Sequence, residues 1–262
     1  MRAPATTGIV IATAVCALSA LAGPALAQRA PSASPTRMSP EILAMACAPG
    51  VAFEAPPMPL RITGGQDSFA RTVYTTSDLV TINAGTRNGI EVGQEYFVRR
   101  ALVSRRAPIT PQTPASIRTT GWITVYAVDD EMSLATVTHA CDTIEVGDYL
   151  EPLVHRTMPS VAADQGTPER DNYGRVMPGV DFRRSFAGGD FFILNRGTDF
   201  GIAPGTAFVV YRDKKQAENF LYEIGEAVAV LVNANWSTLR ITLARDEIHE
   251  GDYVSMRKPK AD

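Results

Sequence analysis

The sequence predicts an all-β protein: two tandem small β-barrels or open sandwiches of about five strands each, preceded by a short N-terminal helix. Three observations carry this expectation. The chain has 262 residues, enough for two modules, and its 20 Gly and 18 Pro mark many short connections. Two blocks of sequence recur without gaps. Inside those blocks the apolar runs are short and bounded by turn residues, with no 3.6-residue periodicity. A composition 45% hydrophobic and 20% charged excludes a mostly disordered chain. The net charge of −3 supplies no basic footprint, so no nucleic-acid partner is expected. Three His and three Cys leave little material for a metal site, and no cofactor is expected.

The repeat is the most informative property. Asp78 to Arg100 (DLVTINAGTRNGIEVGQEYFVRR) matches Asp190 to Arg212 (DFFILNRGTDFGIAPGTAFVVYR) at a constant offset of 112. Gly121 to Leu150 matches Gly225 to Val254 at an offset of 104. The eight-residue difference falls in the connection between blocks, 20 residues in the first copy (Ala101–Thr120) and 12 in the second (Asp213–Ile224).

Residues 1–27 read as a secretory signal: Arg2, an uncharged apolar stretch from Gly8 to Ala22, then the small-x-small site Ala25-Leu26-Ala27. The stretch is short for a bilayer span, and a retained anchor is the alternative. Val15 before Cys16 does not suit a lipoprotein signal. Cleavage after Ala27 takes one Arg and leaves a net charge of −4 and two cysteines, Cys47 and Cys141. An exported chain with two cysteines predicts one disulfide rather than two free thiols. It closes a loop of 95 residues, for which the chain-entropy account gives about 4–5 kcal/mol as an upper figure. Neither cysteine is expected to have a His partner or shows a CxxC spacing, so redox catalysis has no support. No later segment is apolar enough for a membrane span.

The N-terminal segment, 28–57, begins with the Pro/Ser-rich Gln28–Met38, expected to be disordered. Ser39-Pro40-Glu41 then starts a short helix reaching Cys47, with Ser as N-cap and Pro in the first turn.

The first module spans 58–154. Met58–Thr63 adds a first strand. Leu79–Asn83 is an apolar run ending at a turn, where Gly85, Gly89 and Gly93 recur at spacing four; tight turns of this kind take positive φ cheaply only at Gly. Tyr96–Arg99, Gly121–Asp129 and Ser133–Thr138 follow as strands, and Ile144–Leu150 closes the copy through the turn at Gly147 and Asp148. Residues 155–178 lack an apolar pattern and read as the linker. The second module, 179–258, repeats the plan. Its strands are Val180–Phe186, Phe191–Asn195, Ala207–Tyr211, Gly225–Asn233, Ser237–Leu243 and Ile248–Val254, and its turn residues are Gly197, Gly201, Gly205, Gly251 and Asp252. Lys214–Leu221 suits a short helical turn.

The pattern Asn-x-Gly-Thr-x-x-Gly-Ile-x-x-Gly, followed later by Ile-x-x-Gly-Asp-Tyr, resembles small β-barrel modules of bacterial envelope proteins. It is similar to the C-terminal domain of the flagellar assembly protein T family, over the two blocks of each copy. That resemblance implies a small-barrel fold; the tandem arrangement departs from the family, whose other domains have no counterpart here.

Candidate chemistry is sparse. Asp148 with Asp252, and Asp142 with Asp246, recur in both copies. They are read as turn-shaping residues that bond backbone amides rather than as catalytic carboxylates. His139, His155 and His249 lie at no metal-ligand spacing. No Ser has a G-x-S-x-G context, and the Gly-Gly pairs lack a following Lys-Ser/Thr. Trp122 meets Glu226 in the alignment and Trp236 meets Met132. Trp236, at a predicted hairpin tip, is a candidate partner contact, or else folds back over its own barrel. Arg99, Arg100, Arg105, Arg106 and Arg118 crowd the first connection, and Arg105 and Arg106 are candidate contacts for an acidic polymer, against the alternative of a solvated loop.

The expected function is that of a non-enzymatic, exported cell-envelope module, periplasmic or secreted, whose partner is an envelope protein or a cell-wall polymer. Contacts are expected in Ala101–Thr120 and Asp213–Ile224, because function on small β-scaffolds sits in variable loops. Peptidoglycan or polysaccharide binding is one alternative and needs an aromatic platform; an exported hydrolase is another and needs a convergent site.

Overall fold

The computed structural model describes residues 39–67, 71–102, 115–154, 156–161, 166–179, 183–214 and 220–258. The signal, the Pro/Ser-rich segment, Arg105, Arg106 and the middle of the Lys214–Leu221 stretch lie outside them.

Ser39 caps the only α-helix among the described residues, α1 (Pro40–Ala46). Its hydroxyl accepts from the Ile42 N–H at 3.3 Å, and Pro40 sits where its missing N–H costs nothing. Apart from short 3-10 turns, the regular structure is strand: β1 (Gly50–Ala52), β2 (Ile62–Gly65), β3 (Val73–Tyr74), β4 (Leu79–Ile82), β5 (Glu95–Leu102), β6 (Ala115–Val128), β7 (Ser133–Ala140), β8 (Ile144–Glu145) and β9 (Tyr149–Pro152) in the first half. The second half contains β10 (Thr167–Pro168), β11 (Gly174–Met177), β12 (Ser185–Phe186), β13 (Phe191–Leu194), β14 (Ala207–Asp213), β15 (Leu221–Val232), β16 (Ser237–Ala244), β17 (Ile248–His249) and β18 (Tyr253–Lys258).

In the second half, β11-β13-β16-β15-β14-β18 form a closed antiparallel barrel, because β18 pairs with both β14 and β11. In the first half the order is β2-β4-β7-β6-β5-β9. The Ile62 N–H donates to the Asp148 C=O at 2.9 Å and the Leu150 N–H to the Leu60 C=O at 3.0 Å, which bring the last strand back against the first. Closure leaves no long unpaired edge, the usual difficulty of a small β-sheet.

Equivalent strands take equivalent places. Thirteen of the fourteen interior residues of the first barrel face a counterpart in the second, among them Val80 with Phe192, Ile82 with Leu194 and Tyr96 with Phe208. Volume shifts between neighbours: the cross-strand pair Val125–Ala135 becomes Ala229–Leu239. Such volume-conserving exchange is what a close-packed core tolerates.

The sequence placed the first strand of each copy imperfectly. In the second copy that strand is Gly174–Met177, inside the stretch read as linker. The matching bonds are plain in the structure: the Arg61 N–H donates to Asn83 Oδ1 and the Arg175 N–H to Asn195 Oδ1, both at 2.7 Å. Ser185–Phe186 instead answers Val73–Tyr74, each pair crossing a barrel end to meet β17 or β8. The connections are also shorter than their sequence bounds, since β5 runs on to Leu102, β6 begins at Ala115, and Leu221 opens β15.

Met38–Asp262 is one compact unit, and the N-terminal segment ties its two barrels. β1 pairs with β6 of the first barrel. Met45 is buried against Val228 and Val230 of the second. The Thr238 hydroxyl on β16 donates to the Pro49 C=O at 3.0 Å.

Candidate functional site

The repeated carboxylates are structural anchors. Asp148 is buried, and Arg100 donates to both its oxygens, from Nε at 2.7 Å and Nη2 at 2.9 Å; the Glu145 N–H adds 2.9 Å and the Thr120 hydroxyl 3.2 Å. Asp252 repeats this with Arg212 at 2.9 and 2.7 Å and the His249 N–H at 2.7 Å. Hydrogen bonds to these aspartates hold both guanidiniums above their ordinary pKa. Both oxygens of each carboxylate are thus held by an arginine, and one also by a backbone N–H. The Glu145 and His249 N–H bonds are of the kind the turn-shaping reading expected. The Arg partner was missed, although Arg100 and Arg212 are the one Arg pair shared by the aligned blocks.

The turn glycines differ in why they are needed, and Gly85 and Gly197 depart from the positive φ expected of them, with φ of −136° and −146°. Gly85 and Gly197 admit the opposite hairpin: a Cβ would lie 2.1 Å from the Asp129 C=O oxygen and 1.8 Å from that of Asn233. Gly89 and Gly201 end short 3-10 turns with φ of 77° and 75°. Gly93, Gly147, Gly205 and Gly251 also take positive φ.

Trp236 is corrected. It is only 8% exposed, and its indole reaches Gly50 of the N-terminal segment. It is packing rather than a free contact, because an extended segment distant in sequence covers its hairpin. Of the Arg cluster, the described members are engaged: Arg99 stacks on Phe97 and meets Glu151 at 3.2 Å, Arg100 holds Asp148, and Arg118 pairs with Asp142, while the candidate contacts Arg105 and Arg106 lie outside the described residues. Cys47 and Cys141 form the disulfide. His139, which the sequence reading did not connect with them, lies beside the bridge with its ring stacked on Trp122. Burial holds its imidazole below the usual pKa.

The strongest candidate surface is a groove of about 540 Å³ on the second barrel, lined by Arg170, Tyr173, Tyr211, Asp213, Phe220, Leu221 and Tyr253. Tyr173 sets its ring edge-on to Tyr211 and Tyr253, with centroids 6.1 and 5.6 Å apart. Arg175 lies over the Tyr253 ring at 3.3 Å. Burial, with Glu223 nearby, pushes the Tyr211 phenol up, so it stays a neutral hydrogen-bonding group. Phe220 is 55% exposed. Aromatic walls carrying hydroxyls and two charged heads suit a partner with both apolar and polar surface. The groove includes both described ends of the second connection, which the sequence had picked for partner contact.

The same face of the first barrel is filled. Tyr211, Leu221 and Tyr253 correspond to Arg99, Ile117 and Tyr149, all buried. There the N-terminal segment lies across β5 and β6. Ile42, Met45 and Ala48 share a narrow pocket with Phe97, Arg99 and Trp122, and the Thr119 hydroxyl donates to the Ala48 C=O at 3.3 Å. No protein-family model matches the chain, and no curated protein matches it.

Proposed function

We propose that the chain is an exported, non-enzymatic cell-envelope module, built by duplication, that receives an extended segment of a partner protein in the tyrosine groove of its second barrel. One observation carries this: a face that the first barrel covers with a stretch of its own chain is aromatic in the second and uncovered among the described residues. The occupant of the first face is the chain's own helix α1 and the stretch running on from it into β1, so a segment of polypeptide is the occupant argued for the second. Aromatic grooves bind extended peptides by stacking and by hydrogen bonds to the backbone. Export, with removal of residues 1–27 and a periplasmic or secreted destination, is supported by the signal-like N-terminus and by the disulfide, a bond kept in oxidising compartments. No described helix is long and apolar enough to cross a membrane.

Cell-wall polysaccharide is the second reading, favoured by the same tyrosines, since sugar rings stack on aromatic faces. Capture from envelope extract with the protein and with its Tyr173→Ala/Phe220→Ala variant separates the two. The peptide reading expects a protein captured by the parent, lost with the variant, and no co-sedimentation with purified sacculi. Sacculus binding that the variant loses establishes the polysaccharide reading. Equal capture by parent and variant removes the groove from both.

A further inference from the structure

The disulfide has a third donor next to it. Cys47, His139 and Cys141 each present one ligand atom, and these atoms all lie within 4.8 Å of one another. His139 precedes Cys141 by two residues at the end of β7. Its ring is held by Trp122, with centroids 4.6 Å apart and planes inclined by 27°. A cleft of about 290 Å³ reaches both cysteines past Arg118, Asp142 and Asp190, wide enough for a hydrated ion to enter.

Two thiolates and an imidazole are the donor set of tetrahedral zinc. Zn–S near 2.3 Å and Zn–N near 2.0 Å put such donors roughly 3.3–3.8 Å apart, so side-chain rotation from the present cluster suffices. We propose that the clamp is exchangeable: in the reduced protein, Cys47, Cys141 and His139 bind one zinc ion, which holds α1 and β1 to the first barrel in place of the sulfur–sulfur bond. A dithiol supplies two electrons and two protons, the S–S bond breaks to give two thiols, and the dithiol closes to its own disulfide. Zinc then displaces both thiol protons to solvent and takes the imidazole lone pair, with water in the fourth position.

The test uses the full protein, reduced with a phosphine, freed of reductant without oxygen, and titrated with Co²⁺ and then Zn²⁺. One equivalent of cobalt should give thiolate-to-metal charge-transfer absorption, which zinc abolishes. The oxidised protein should give none. His139→Gln should weaken binding about tenfold or more, and Cys47→Ser should remove the band. No band in the reduced protein, or equal affinity for His139→Gln, overturns the proposal. Circular dichroism runs alongside: if reduction unfolds the chain, refolding on adding zinc supports the site. Binding as tight in urea as in buffer contradicts it, because the cysteines would then bind without the fold.

Discussion

Gly197 and Gly201 stand in one turn, yet alanine should fail there for different reasons. At Gly201 the cost is the left-handed backbone alone, with nothing for a Cβ to strike, so Gly201→Ala should lower stability by about 1 kcal/mol. At Gly197 a Cβ meets the backbone of Asn233, which has no side chain to swing away. Gly197→Ala should cost about 3 kcal/mol or more by urea unfolding. Equal losses at the two sites would refute the close-approach argument. Asp78 makes a pH prediction. Burial alone would raise its pKa, but the Thr75 N–H and Arg71 outweigh burial and hold it below the usual value. Its unfolded carboxyl titrates near ~3.9, so its contribution is present above that pH and is lost as pH falls through the lower folded pKa. Asp78→Asn should therefore lower the urea midpoint at pH 7, with the difference from the parent closing as the pH is taken below about 3.9; a constant difference across that range would contradict the assignment.

At the scale of elements, the α1–β1 segment holds the two barrels by four unlike devices: the disulfide, the β1–β6 ladder, Met45 on the second barrel and the Thr238 bond to Pro49. Cys141→Ser removes one of them. It should cost about 2–5 kcal/mol and raise amide exchange in α1 far more than in β4 or β11, whose ladders run to other strands; uniform exchange would mean that the bridge supports the whole fold and not this segment. The elements also show what the sequence could reveal. Strands inside the gapless blocks were legible, since glycine turns and apolar runs recur at fixed offsets, and α1 was legible from Ser39-Pro40. β11 was not, because its four residues GRVM share little with the first copy beyond the match of Arg175 to Arg61, and the backbone bond to Asn195 that defines it is invisible in one dimension. Trp236 misled because its cover, Gly50, lies far away in the chain. The tyrosine groove was hidden for the same reason, its walls coming from separated stretches of the chain.

At the scale of the whole molecule, the two barrels share a scaffold and differ in one face. The first uses that face to seat its own chain; the second leaves Tyr173, Tyr211 and Phe220 lining a groove. The central claim, that this groove is where a partner's segment docks, is tested most directly by site-specific photo-crosslinking in cells. A photoreactive residue is placed at Phe220 and, as the control, at Tyr126, which is 65% exposed on the first barrel. The account predicts a discrete protein adduct from position 220, mapping to a short stretch of the partner, and none from position 126. Adducts of equal yield from both positions, or from position 126 alone, would contradict it.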